Sequence, residues 1–274
     1  MHMKETWYYI DSGHQTPSFN MAVDECLLNW HSKGLIPPVL RLYGWKPAGL
    51  SIGYFQKTAN KINLEKVEEK GFKLVRRLTG GRAVLHDDEL TYSIIISEDH
   101  PCIPTSIKEA YLYLSKGILN GYQLLHIDAS FHNQSLAKST SSSAVCFEEP
   151  SWYELIVDGK KAAGSAQTRK NGVLLQHGSI PITINEEVLY DLFLYPSEAV
   201  KKRAQQGFKD KAISIQDVSS KVLSYDTVKT AFREGFEQAL NLNLEPYHFN
   251  EQELTEIKTL QRDKYENDQW NLNR

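Results

Sequence analysis

The chain has 274 residues, of which 41% are hydrophobic, and its formal net charge is −3. That suits one large domain with ample material for a core, and it gives no electrostatic case for nucleic acid or an anionic membrane. No apolar run approaches the roughly 20 residues that span a bilayer, and the opening MHMKETWYYIDSG lacks the apolar stretch of a signal peptide, so a cytoplasmic protein is expected.

Residues 6–10 (TWYYI) read as a first strand. Ser18 is the expected N-cap of a helix over about 19–32, which places Phe19, Ala22, Cys26 and Trp30 on one face. Pro37-Pro38 breaks the chain, and Val39–Tyr43 and Leu50–Tyr54 read as strands. Asn63 caps a short charged helix, LEKVEEK, that stops at Gly71. FKLVRR then runs as a strand into a Gly80-Gly81 loop, and the β-branched run Ile94–Ile96 reads as a buried strand. Strand, charged helix and strand in succession favour an α/β (α+β) layer over a sandwich.

Ser106 and Glu109 have capping-box spacing. Behind them a stripe from Ile107 through Ala110, Leu114, Ile118 and Tyr122 predicts a core helix. Residues 128–150 are poor in large aliphatics and rich in serine, and they read as a long loop, a length usually reserved for function or disorder. Three β-like pieces follow. Asp158-Gly159 and Asn171-Gly172 are their expected tight turns. Helices are predicted at about 186–194, 226–240 and 250–265, the last capped by Asn250 and Glu253. The ending KYENDQWNLNR is polar and is expected to fray.

Three side chains carry candidate chemistry. The cysteines Cys26, Cys102 and Cys146 show no metal-type spacing. Cys146 has two readings, a small buried thiol or a nucleophile that needs a nearby positive charge to ionise. Lys161 lies fifteen residues on, across one strand and one turn, beside the small-residue run Ala162-Ala163-Gly164-Ser165-Ala166, which admits a slim substrate or backbone. Around Gly80 and Gly81, Arg76, Arg77 and Arg82 supply planar donors for a carbonyl, carboxylate or phosphate. His86 and His177 read as structural histidines. The phosphate-loop and dinucleotide-loop glycine patterns are absent.

RRLTGGRAVLHDDELTYS and GKKAAGSAQTRKNGVLLQHGSI together resemble the arginine–glycine loop and the lysine motif (G-x-K-[IVA]-A-G-[SA]-A-Q) of the biotin/lipoate protein ligase catalytic family. The likeness covers roughly residues 35–245. It implies a mixed β-sheet flanked by helices in a single domain, with a helical extension over about 246–274. SSAVCFEEPSWYELIVDGKK, YGWKPAGLSIGYFQ and DLFLYPSE look like the octanoyltransferases of that family found in Gram-positive bacteria. The family's other octanoyltransferase type keeps its cysteine after the lysine motif, and no cysteine follows residue 146 here.

The resemblance implies that Cys146 carries the acyl group as a thioester while Lys161 lowers its pKa and orients the carbonyl. It further implies that Arg76, Arg77, Gly80, Gly81, His86, Gly164, Ser165 and Ala166 bind the substrate. The implied donor is octanoyl-acyl carrier protein and the acceptor a lipoyl domain, typically the glycine cleavage system H protein. Neither nucleic acid nor membrane takes part, and no cofactor or metal is required, because the donor arrives activated. The alternatives on the same fold are an octanoyl amidotransferase between lipoyl domains and an ATP-dependent lipoate-protein ligase. A non-catalytic lipoyl-domain-binding protein is a third possibility from another class.

Overall fold

A computed structural model describes residues 4–133 and 153–272. Strand β1 (Glu5–Gln15) leads into helix α1 (Pro17–Ser32). The cap is Thr16, whose hydroxyl accepts from the Phe19 amide, and not Ser18 as expected. Pro17 explains the shift: its fixed φ and missing N–H suit the first helical position, so the helix begins earlier. Strands β2 (Val39–Trp45) and β3 (Gly49–Ile52) follow, then helix α2 (Leu64–Glu69) with Asn63 as its cap. Next come β4 (Lys73–Arg76), β5 (Val84–His86), β6 (Glu89–Ser97) and the core helix α3 (Ile107–Leu124).

The expected long loop is shorter at its start, because Ala129–Asn133 forms strand β7 and pairs antiparallel with β8 (Tyr153–Val157). The remainder, with Cys146, lies outside the described residues. Strands β9 (Lys160–Lys170) and β10 (Val173–Pro181) complete the predicted meander. Both turns have two consecutive residues with positive φ, Asp158-Gly159 (50° and 75°) and Asn171-Gly172 (55° and 75°). That is the geometry that Asp-Gly and Asn-Gly favour and that matches strand twist. The chain then forms α4 (Glu186–Asp191), α5 (Glu198–Phe208), α6 (Ile215–Val218), α7 (Tyr225–Ala239), β11 (Leu242–Pro246) and α8 (Glu251–Leu260). A π-helical turn, Gln261–Tyr265, and a final short helix α9 (Asp268–Asn271) end it.

Eight strands make one mixed sheet in the order β11-β1-β2-β6-β10-β9-β8-β7, with β1 parallel to both its neighbours. A smaller sheet, β4-β3-β5, stands beside it. Helices α3 and α7 cover one face of the large sheet through Leu114, Ile118, Phe232 and Phe236. Their contact is close because glycines meet there: a β-carbon on Gly117 would lie 1.9 Å from the Phe236 ring. Helices α1 and α8 cover the other face, and a third apolar cluster joins the small sheet to α4 and α5. The result is the mixed sheet flanked by helices that was expected. No described helix is long and apolar enough to cross a membrane.

The polar C-terminal stretch does not fray. Tyr265 and Asn271 are buried. The Tyr265 hydroxyl donates to Glu25, the Trp270 indole N–H to the Arg76 carbonyl, and the Arg76 amide to Asn271 Oδ1 at 2.9 Å. Hydrophobic patterning misses such a segment because polar pairs to residues nearly 200 positions away hold it. The Asn271 side chain also donates to the Tyr265 carbonyl at 2.9 Å. Asn271→Ala leaves a buried amide and a buried carbonyl unpaired, so it is expected to lower unfolding free energy by about 2–3 kcal/mol. Urea denaturation reads this directly, and an unchanged midpoint would mean that the tail contributes no stability.

Candidate active site

Arg76 and Arg77 are adjacent in an extended segment, so their side chains leave on opposite sides. The structure gives them different surroundings. The fully buried Arg76 guanidinium donates to the carbonyls of Gly53, Tyr54, Gln56, Trp270 and Asn271. It ties the C-terminal segment to the turn after β3 and does not line the cavity described below. Arg77 turns inward and donates to the Ser51 carbonyl and hydroxyl, to Thr79 Oγ1, and to the carbonyls of Gly80 and Arg82 at 2.9 and 2.7 Å. One planar, five-donor group thus fixes the whole glycine loop from within.

Gly81 has φ of +95°, and a β-carbon on it would sit 2.8 Å from an Arg77 nitrogen. Its carbonyl oxygen faces Gly53, where a β-carbon would lie only 1.9 Å away. Gly53 therefore lets the two backbones touch, a need that its sequence context did not reveal. Gly80 has open space around it.

Behind this loop is a narrow cavity of about 60 Å³. Met21, Tyr43 and Trp45 form an apolar part, Gly81, Val84 and His86 another wall, and Gly164, Ser165 and Ala166 a strip of β9 backbone. The β10 residues His177, Gly178 and Ser179 close it. Of the residues expected to bind substrate, Arg77, Gly81, His86, Gly164, Ser165 and Ala166 come together here. Arg76, Gly80 and Lys161 do not line it.

Two buried histidines form part of the wall, each held by a carboxylate on one nitrogen and a hydroxyl on the other. His177 Nδ1 lies 3.3 Å from Asp24, and its Nε2 lies 2.6 Å from the Thr79 hydroxyl. Burial pushes the His177 pKa down, so the ring is neutral near pH 7. Its partners then set the tautomer: Nδ1–H donates to Asp24, and Nε2 accepts from Thr79, whose oxygen accepts from Arg77. Burial alone would raise the Asp24 pKa, but the Arg41 charge and the His177 hydrogen bond outweigh it and hold the carboxyl below its usual range. His86 Nδ1 lies 2.7 Å from Glu89, and Nε2 2.7 Å from the Ser51 hydroxyl. The His86 ring stacks on Trp45 at 4.0 Å, and Glu89 also accepts from Thr91 and Ser179. Both histidines are rigid walls with committed nitrogens, as the structural reading expected.

Lys161 is buried at the start of β9, and its ammonium is 3.1 Å from the equally buried Glu154 on β8. Its amide donates to the Lys211 carbonyl at 2.8 Å, and its carbonyl accepts from the Ile213 amide at 3.0 Å. The lysine is thus pinned by backbone on one side and by a carboxylate on the other. Glu154, Ser51, Gly53, Thr79 and Asp24 were not legible as site residues. Ser51, Gly53, Thr79 and Asp24 meet partners distant in the chain, and Glu154 meets Lys161 across the β8–β9 turn. His177 was legible only as part of the QHG strand.

Cys26 is buried on α1, and burial with nearby Glu256 and Glu25 pushes its thiol up to about 12. Cys102 is exposed. Among the described residues one group, Glu5, His100 and Cys102, brings three possible metal ligands within 4.8 Å. It does not line the cavity, and His100 Nε2 is already 2.7 Å from Glu5.

The profile of the lipoyl protein ligase A/B catalytic domain matches residues 16–237. The chain is 54% identical over 273 residues to octanoyltransferase LipM of Halalkalibacterium halodurans, covering 98% of this chain and 99% of that protein. It is 52% identical over 276 residues to octanoyltransferase LipM of Bacillus subtilis, covering 99% of each. A bi-partite lipoate protein ligase from Thermoplasma acidophilum shares the fold, with a TM-score of 0.79 at 21% identity over 98% of this chain and 96% of that one. Lipoate-protein ligase A bound with ATP does so too, with a TM-score of 0.77 at 22% identity over 98% of each chain. With a profile that spans most of its length and relatives that are more than half identical to it from end to end, the chain belongs to the lipoyl protein ligase A/B catalytic domain family.

Proposed function

We propose that the protein is an octanoyltransferase of lipoate assembly. It takes an octanoyl group from octanoyl-acyl carrier protein onto Cys146 and passes it to the lysine of a lipoyl domain such as the glycine cleavage system H protein. The observation that carries this reading is the near-full-length identity to two octanoyltransferases LipM. The role of Cys146 rests on its place ahead of the lysine motif, and it acts in the cytoplasm, where its thiol stays reduced.

The cavity geometry supports the reading. In this reading the saturated chain lies along the Gly164–Ala166 backbone and points its methyl end toward Met21, Tyr43 and Trp45, all of which line the cavity. The His177 ring, kept neutral by burial, presents no charge toward an alkyl chain. Lys161 lies three residues before Gly164 and so near the carbonyl end. In the first step the Cys146 thiolate attacks the donor carbonyl, the carbon–sulfur bond to the carrier breaks, and the carrier sulfur leaves as thiolate and takes a proton from water. In the second step the neutral acceptor amine attacks, a carbon–nitrogen bond forms, the nitrogen gives up a proton to water, and Cys146 departs as thiolate. A positive charge near the sulfur favours its ionised form in both steps, and covalent catalysis divides one difficult transfer into two easier ones.

Cys146→Ala is expected to abolish the gain of one octanoyl mass on mixing with octanoyl-acyl carrier protein. Cys26→Ala and Cys102→Ala should keep it, and labelling that persists in Cys146→Ala would refute the assignment. Lys161→Ala should move the pH profile of iodoacetamide alkylation at Cys146 to higher pH. Lys161→Arg should retain much of the charge effect but lose transfer, because the wider planar group does not fit between Glu154 and the 211–213 backbone. If Lys161→Ala stops transfer and leaves the alkylation profile in place, the lysine positions substrate and does not activate the thiol. Gly81→Val forces a branched residue into a left-handed conformation against Arg77. It should lose transfer while keeping a folded spectrum and a near-normal melting temperature.

A further inference from the structure

We propose that a second cavity, adjoining the first, receives the side chain of the acceptor lysine, with the Asp87 carboxylate meeting its ammonium. This rests on the reaction proposed above. The second cavity, of about 40 Å³, shares Val84 and Ser179 with the first. Leu85, Ile184, Leu189 and Phe208 give it apolar walls, and Asp87 and Asp88 also line it.

Its position is near Lys161. Ser179 pairs across the sheet with Gly164, the last β9 residue that β10 reaches, and from there the 211–213 backbone takes over as the neighbour of Lys161. Phe208 belongs to the same corner, since its carbonyl accepts from the amides of Lys211 and Ala212, and Lys211 in turn accepts from the Lys161 amide. The cavity therefore adjoins the backbone that pins Lys161.

The lining matches a lysine: apolar walls for four methylenes and a carboxylate for the head. Asp88 accepts from the Thr183 hydroxyl at 2.8 Å and is part of the wall. Asp87 has no ion pair and no side-chain hydrogen bond among the described residues. The competing occupant is the thiol-tipped arm of the acyl carrier, whose segment next to the thioester is neutral and offers no cation for Asp87 to meet. The lysine ammonium loses one proton before its nitrogen attacks and a second as the amide forms and the Cys146 thiolate leaves. Asp87, at the exposed side of the cavity, has its proton affinity raised by partial desolvation with Asp88 and Glu89 nearby, which suits it to take the first; the second passes to water.

The test separates the two half-reactions on the full-length protein. Octanoyl-acyl carrier protein loads the enzyme, intact mass follows loading, and a lipoyl domain then discharges it. Asp87→Asn and Ile184→Trp should load at a rate within about twofold of the unmodified enzyme and discharge about tenfold or more slowly, the cost of losing a contact to a charged group. Asp87→Glu should recover part of the discharge rate. Loading and discharge slowed alike would assign the cavity to the donor and overturn the proposal, as would discharge at the normal rate in Asp87→Asn. If the unmodified enzyme never gains the octanoyl mass, the thioester reading falls instead. The acceptor site is then judged on the steady-state KM for the lipoyl domain, and an unchanged KM in Asp87→Asn overturns it.

Discussion

Asp24 is a charged group removed almost completely from water, and the middle of the molecule is arranged to satisfy it. Arg41 donates to it at 2.7 Å, Ser93 at 2.9 Å, Tyr43 at 3.1 Å and His177 at 3.3 Å. These donors come from β2, β6 and β10, three consecutive strands of the large sheet, while Asp24 itself belongs to α1. Taking one donor away from a buried ion pair costs about 3–5 kcal/mol, because a charge is left unpaired. The helix therefore cannot slide across the sheet, nor β2 past β6, without that loss. The pair need not add net stability over an apolar core. What it adds is a single allowed register.

That register reaches the cavity through hydrogen bonds. Asp24 orients His177, His177 accepts from Thr79, and Thr79 accepts from Arg77, which holds the carbonyls of Gly80 and Arg82. The glycine loop, without bulky side chains of its own at Gly80 and Gly81, thus takes its shape from a carboxylate in the core. Arg76 secures the outer side by a parallel device, collecting carbonyls from the turn after β3 and from the C-terminal segment. Two neighbouring arginines, separated only by strand alternation, join the loop to two different parts of the chain.

The local signals in the sequence were read well because they are local physics. Asp-Gly and Asn-Gly turns, the Asn63 cap and the Asn250–Glu253 capping box need only a few residues to be stable, and each is present. Part of the cavity wall was also legible, since Arg77, Gly81, His86 and Gly164–Ala166 lie in two compact motifs. What could not be read depends on distant partners. The similar side chains of Arg76 and Arg77 gave no hint of opposite surroundings. The tail looked too polar to pack, yet its polar atoms are the ones that pair with Arg76 and Glu25. Helix α5 carries Lys201, Lys202 and Arg203 with few aliphatics, and only Phe208 at its end is fully buried, so its apolar stripe was too thin to see.

A two-step transfer places opposed demands on one carbonyl: it must be shielded from water while it waits as a thioester, and reachable by an amine afterwards. A single deep pocket answers the first demand and defeats the second. Two cavities separated by little more than Val84 and Ser179 answer both. On the proposed reaction the alkyl chain fills the first, lined by rings whose nitrogens are already committed, and the second takes the acceptor amine. The wall between them belongs to β5 and β10, and both strands are fixed by buried hydrogen bonds: His86 to Ser51 and Glu89, Ser179 to Glu89. Glu89 thus braces the partition from behind, as Asp24 braces the loop. In each case a buried carboxylate that takes no part in bond making sets the position of groups that line the space where bonds are made.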